Sequence, residues 1–246
     1  MPYLHLLGHP TYHEIQGAGE PLLLLHGGYA TLENLRPLGD ALAATHQVHA
    51  PEGTGHGRTA DREGPFSYAA SLAEAVAYLD ALGLDAVHVV GFSDGAILGL
   101  MLAIDHPARV RSLVAISANL DPGGFVSDEE AEHTMTAEAA ALLDREYADL
   151  SPDGADHGPV VIEKLSRMWL SEPQITLEML ATIRAPTLVV AGDHDMVRAD
   201  HTLLISQSIP GAQLAIVPAA GHLVASDRPD LVEPMVGAFL AAVSTA

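Results

Sequence analysis

The sequence predicts an α/β fold built on a mostly parallel, doubly wound sheet, and three observations predict it. Short apolar runs alternate along the chain with segments of helical spacing, the pattern of strand–helix–strand units. Most of those runs are continuously apolar rather than alternating, as in strands covered on both faces. The alternation lapses only over residues 121–182, which marks an insertion in the sheet domain.

In chain order, Tyr3–Leu7 and Thr11–Ile15, separated by Gly8-His9-Pro10, read as an opening antiparallel hairpin. Strands are predicted at Leu22–Leu25, Val48–Ala50, Val87–Val90, Leu113–Ser117, Thr187–Val190 and Leu214–Pro218. Helical stripes are predicted through Leu35, Leu38 and Leu42, then Leu72, Val76, Leu79 and Leu82. Further stripes run through Leu203, Leu204 and Ser208 and through Leu231, Met235 and Phe239. Between Asp121 and Thr182 lie two turn clusters, Asp121-Pro122-Gly123-Gly124 and Ser151-Pro152-Asp153-Gly154, with helix-like pieces and no convincing strand. The expected organisation is a core of residues 1–120 and 183–246 carrying a helical cap over 121–182.

Composition narrows the function classes. With 246 residues, 48% hydrophobic and 17% charged, the chain can bury a sizeable core and is not disordered. It has no cysteine, which excludes disulfide scaffolds, thiolate zinc sites and cysteine nucleophiles. Eleven basic residues against 32 acidic ones leave a net charge of −21, which argues against a nucleic-acid partner because nothing neutralises a run of phosphates. The longest uncharged apolar run, Gly95–Ile104, is about half of what a bilayer span needs. No basic and apolar leader opens the chain, so the expectation is a cytoplasmic protein without a membrane partner. None of the 14 histidines falls in H-E-x-x-H or pairs at i, i+4 on one predicted helix, so no metal and no cofactor is expected.

The chemistry concentrates at strand ends. Gly91-Phe92-Ser93-Asp94-Gly95 follows the strand Val87–Val90 and precedes the helical run Ala96–Ile104. This is the G-x-S-x-G pattern in the strand–turn–helix context it requires. The serine sits on a strained turn where neighbouring Cβ atoms would clash, and the helix N-terminus beyond it favours developing negative charge. A serine hydroxyl needs a general base and the base an orienting carboxylate. Gly192-Asp193-His194-Asp195 and Ala219-Ala220-Gly221-His222 supply both types at later strand ends, in the order Ser, Asp, His.

Together with His26-Gly27-Gly28 after the strand Leu22–Leu25, these motifs resemble the α/β-hydrolase superfamily over nearly the whole chain. The resemblance implies Ser93 as nucleophile, His222 as base and Asp195 as acid, with Asp193 capping the turn. Some members draw the acid from the preceding core strand, where Asp121 stands. It also implies an oxyanion hole from the backbone N–H groups of Gly28 and Asp94, with Tyr29 in reserve for the first. His26 is expected to brace its loop. Gly53-Thr54-Gly55-His56-Gly57-Arg58-Thr59 is similar to the glycine-rich loop of that superfamily, with Glu52 departing from the common aspartate and His56 and Arg58 in structural roles. His194 and His201 are read as surface or core residues.

The expected activity is metal-free hydrolysis of a carboxylic ester or related acyl bond of a small molecule through an acyl-enzyme on Ser93. A serine at the elbow disfavours the dehalogenase and epoxide hydrolase chemistries, and leaves lactone, thioester, amide and carbon–carbon bonds open. Two other classes stay open as well: a non-hydrolytic lyase or tailoring catalyst, and a ligand-binding protein with a vestigial triad. Met135, Met168, Trp169 and Met179 are candidates for the substrate pocket, or for packing of the cap, and Phe92 and Tyr29 flank the elbow and the oxyanion strand end as candidates to shape the same pocket. Residues 121–182 carry fourteen acids against Arg145, Lys164 and Arg167, so an acidic cap would favour neutral or cationic substrates over anionic ones. A homo-oligomer is left open.

Overall fold

Alternate residues of a strand face opposite sides of its sheet, and this explains why the apolar runs are continuous. Leu23, Leu25, Val87, Val89, Leu113 and Val189 are buried in one apolar core, while Leu22, Leu24, Val90, Val114, Ile116 and Val190 are buried in a second. The computed structural model describes residues 2–127, 134 and 136–244. Among these, eight strands form one sheet: β1 (Tyr3–Leu6), β2 (His9–Gln16), β3 (Glu20–Leu25), β4 (His46–Pro51), β5 (Val87–Phe92), β6 (Val110–Ile116), β7 (Thr187–Gly192) and β8 (Gln213–Val217). Their spatial order is β1-β2-β4-β3-β5-β6-β7-β8. β2 runs antiparallel to both its neighbours, β1 and β4, and every other adjacent pair is parallel. The order reverses between β3 and β5, so the connections leaving their carboxyl ends diverge and open a crevice there, the usual position of a site in an open sheet.

Helices cover both faces. α1 (Arg36–Leu42) and the C-terminal α9 (Pro229–Ser244) close the second core. α2 (Tyr68–Ala81), α3 (Asp94–Asp105) and α7 (Ala199–Ser208) close the first. Ser67 caps α2 by accepting from the Ala70 N–H. Between β6 and β7 lie α4 (Ala137–Leu150), α5 (Gly158–Trp169) and the short α6 (Leu177–Leu180). Tyr147, Val161, Leu165, Met168 and Leu180 from this segment share the first core instead of building one of their own. The short α8 (Val224–Asp227) precedes α9. No helix among the described residues is long and apolar enough to cross a membrane.

Three local expectations are corrected. The hairpin turn is tighter than Gly8-His9-Pro10. Leu7 and Gly8 both take positive φ, 50° and 81°, giving a two-residue turn of the kind that matches strand twist, and Pro10 falls inside β2 opposite His5. On α7 the buried face is His201, Thr202, Ile205 and Ser206, while Leu203 and Leu204 are exposed. Polar side chains can occupy that face because they find partners: His201 Nε2 accepts from the Leu120 N–H at 2.9 Å and Thr202 bonds the Arg198 carbonyl. On α9 the buried stripe runs through Val232, Val236, Phe239 and Leu240, leaving Leu231 at its exposed margin.

Candidate active site

β5 is buried throughout and delivers Ser93 to a sharp turn before α3, with φ 52° and ψ −118°, a left-handed conformation costly for a non-glycine residue. The flanking glycines are required by close backbone approach. A Cβ at Gly91 would lie 2.2 Å from the Gly95 carbonyl oxygen, and one at Gly95 would lie 2.3 Å from that of Leu25. The second contact also fixes the elbow against the end of β3. There Gly27 packs so closely that its Cβ would fall 3.1 Å from that of Ser93.

Ser93 Oγ lies 3.0 Å from His222 Nε2, and His222 Nδ1 lies 2.7 Å from Asp195 Oδ1. An Nδ1–H donating to the carboxylate leaves the Nε2 lone pair facing the serine hydroxyl. Both His222 and Asp195 are 5% exposed. Asp195 also accepts from Ser117 Oγ and from the Val197 and Gly192 N–H groups, so with His222 its carboxylate has four donors. The turns bearing acid and histidine are laced together: Asp193 Oδ1 accepts from the Ala220 N–H, and the His194 N–H donates to the Ala220 carbonyl. The backbone N–H groups of Ala220 and Ala219 hold the Asp193 carboxyl below its usual range. Asp121 stands apart from the histidine, with its carboxylate accepting from the Gly123 N–H at 2.7 Å. The residue at the end of β6 that reaches Asp195 is Ser117, itself at φ 59°.

The loop after β3 runs along the other side of the elbow. A Cβ at Gly28 would meet Asp94 Oδ2 at 2.4 Å and Trp169 Cζ2 at 2.5 Å, so all three are in contact. Asp94 accepts from the Tyr68 hydroxyl at 2.6 Å and from Trp169 Nε1 at 3.0 Å. Burial pushes its carboxyl up against the pull of these hydrogen bonds. His26 Nδ1 donates to the Gly27 carbonyl and Nε2 accepts from the Gly53 N–H, a pairing only the neutral ring can make. Burial, with His56 nearby, lowers its pKa to about 3. Glu52, fully buried, accepts from the Arg58 N–H and guanidinium, and this ties the glycine-rich loop to the end of β4.

Of the pocket candidates, Met168 lines a cavity of about 180 Å³ beside Gly28, together with Asp94, Tyr68, Glu74, His56 and Leu165. Phe92 is buried, its ring 5.0 Å from that of His222, so it supports the imidazole from within the core. Tyr29 points away: its hydroxyl donates to Asp144 and its ring stacks on Tyr147 of α4 at 5.3 Å. Met179 packs partly buried against the first core. Met135 lies outside the described residues. His194 is exposed, and His201 serves the Leu120 backbone. Sequence reasoning missed Tyr68, Glu74 and Ser117. Only Ser117, a polar residue closing an apolar strand, left any signal.

Comparison with known proteins follows the same outline. The model of the alpha/beta hydrolase family matches residues 22–234. A candidate carbamate hydrolase, RutD, of Azorhizobium caulinodans is 32% identical over 97% of this chain and 98% of its own. The 2-hydroxymuconate semialdehyde hydrolase of Pseudomonas putida is 32% identical over 95% of this chain and 92% of its own. Among solved structures, Est816, described as an N-acyl homoserine lactone degrading enzyme, superposes with a TM-score of 0.81 at 24% identity, covering 97% of this chain and all of that one. Strand order, elbow and family match agree, and the chain belongs to the alpha/beta hydrolase family as one of its hydrolases.

Proposed function

We propose that the protein is a serine hydrolase that cleaves a carboxylic ester or related acyl bond of a small molecule through an acyl-enzyme on Ser93. The observation that carries this reading is the unbroken hydrogen-bonded line from Ser93 Oγ through His222 to Asp195. As Ser93 Oγ attacks the acyl carbon, its proton passes to His222 Nε2. The Asp195 carboxylate stabilises the resulting imidazolium. His222 then protonates the leaving group, which departs and leaves the acyl group on Ser93. Water enters, gives a proton to the same nitrogen and attacks the acyl carbon, and the acid is released as Ser93 recovers its proton. The backbone N–H groups of Gly28 and Asp94 flank Ser93 and are the donors for the tetrahedral oxyanion, each worth about 3–4 kcal/mol of barrier in such sites.

Residues 121–182 act as the cap of this reading and lean it toward neutral or cationic substrates. Asp94 and Glu74 line the cavity beside Gly28, and the one arginine or lysine there among the described residues, Arg62, is paired with Glu74. The carbamates and semialdehydes for which the two relatives are named extend the bonds to compare. The test is labelling by a fluorophosphonate followed by intact mass, with turnover of short p-nitrophenyl esters, carbamates and lactones beside it. One adduct per chain, lost together with turnover in Ser93→Ala, is the expected result. A wild-type protein that forms no adduct and turns over none of these compounds overturns the reading. A carboxylate-bearing ester preferred over its neutral counterpart overturns the charge preference alone.

A further inference from the structure

We propose that the Asp94 carboxylate is a clamp that holds the turns on both sides of Ser93 in register only while α5 is docked, with Trp169 and Tyr68 as positioning residues. The proposal rests on the acyl-transfer reading of Ser93 and adds what keeps that site assembled. Asp94 is the first residue of α3, adjacent to the nucleophile. Its carboxylate turns inward, taking the Tyr68 hydroxyl of α2 at 2.6 Å and the indole Nε1 of Trp169, the last residue of α5, at 3.0 Å and 3.1 Å to its two oxygens. The Gly28 backbone is wedged against both the carboxylate and the indole, since a Cβ there would lie 2.4 Å and 2.5 Å from them.

Four segments far apart in sequence therefore meet on one side chain: the loop after β3, the start of α2, the elbow, and the end of α5. Neither donor carries a charge, so the contact depends on geometry, and releasing α5 withdraws the indole from both Asp94 and Gly28. Displacing a reacting or stabilising group by about 1 Å can cost on the order of 100-fold in rate. Trp169 is the single tryptophan of the chain, so intrinsic fluorescence reports the docking of α5 directly.

The experiment uses Trp169→Phe, which keeps a ring against Gly28 and loses the N–H, and Tyr68→Phe, which loses the hydroxyl. Each is expected to lower kcat on a short p-nitrophenyl ester about 10-fold while KM moves less than about two-fold, with rates counted per fluorophosphonate-titrated site. The double variant should fall little further than either single one, because the clamp acts as a unit. In Tyr68→Phe, Trp169 emission should shift and acrylamide quenching rise. A Trp169→Phe protein with kcat per titrated site within about two-fold of wild type overturns the proposal, as does a change confined to KM, which would make Trp169 a substrate contact. Fluorescence of Tyr68→Phe identical to wild type overturns it as well. Failure of wild-type labelling and turnover would instead overturn the acyl-transfer reading, while the fluorescence arm would still test the clamp.

Discussion

The strand-end turns around Ser93 and the helical segment 121–182 are held by different kinds of force. Around Ser93 the constraints are backbone ones: glycines at van der Waals limits, N–H groups on carbonyls, and turns laced to each other within a few residues of a buried strand. The segment is fastened by side chains that reach across the chain. Asp61 meets Lys164 Nζ at 2.6 Å and His157 Nε2 at 2.9 Å, Tyr29 meets Asp144, and Trp169 meets Asp94. The first arrangement is fixed residue by residue, whereas the second rests on apolar side chains shared with the first core and on polar ties spaced along the segment, each of which can be cut separately.

The largest expected effect falls on the turns. Asp195→Asn should lower kcat on the order of 10⁴-fold by breaking the pairing that orients His222, while Asp121→Asn should leave kcat within about two-fold, both read in ester assays. The stability contrast comes next. Gly95→Ala drives a Cβ to 2.3 Å from a backbone oxygen and should cost about 3–5 kcal/mol in denaturant unfolding. Gly154→Ala, at φ 85° and ψ 160° in the helical segment with nothing within 4 Å, meets backbone strain alone and should cost about 1–3 kcal/mol.

Acid should separate the regions further. His26 is half-buried and neutral, with its pKa lowered to about 3 by desolvation first and His56 second. A lowered folded-state pKa means the unfolded chain binds the proton more readily. The contribution is therefore complete above pH about 6.5 and is lost as pH falls toward 3, by an amount on the order of a few kcal/mol. Stability curves at several pH values should show that loss in wild type and a flatter profile in His26→Gln. In the segment, Lys164→Met leaves the nearly buried Asp61 with His157 as its remaining cross-chain partner and should cost about 2 kcal/mol. Limited proteolysis should then cut first within 121–182, before the sheet opens.

The same contrast decides what could be read from the chain. Ser93, Asp195 and His222 announce themselves because each stands in a short glycine-bearing turn after an apolar run, and the turn's chemistry is local. Tyr68 carries no such mark: it sits at the start of a helix whose pattern explains it as core, and only α3's position gives its hydroxyl a partner. Trp169 was singled out as a pocket or packing residue, and the structure spends its indole N–H on Asp94. Leu203 and Leu204 misled for the complementary reason. Helical spacing counts hydrophobicity, and the buried face of α7 was settled by the hydrogen bonds available to His201 and Thr202.

By itself the sequence determined the alternation of strands and helices, the elbow, and the order in which serine, acid and histidine arrive, because strand period, turn chemistry and steric exclusion act over a few neighbouring residues. The tertiary structure alone decided that β3 lies between β4 and β5, that Ser117 braces Asp195, and that Asp94 joins α2, α5 and the loop after β3. Those contacts bridge residues 26 to 78 positions apart, and no local preference specifies them. They form when two apolar cores close on opposite faces of one sheet and leave each polar group only the partners that packing brings within reach.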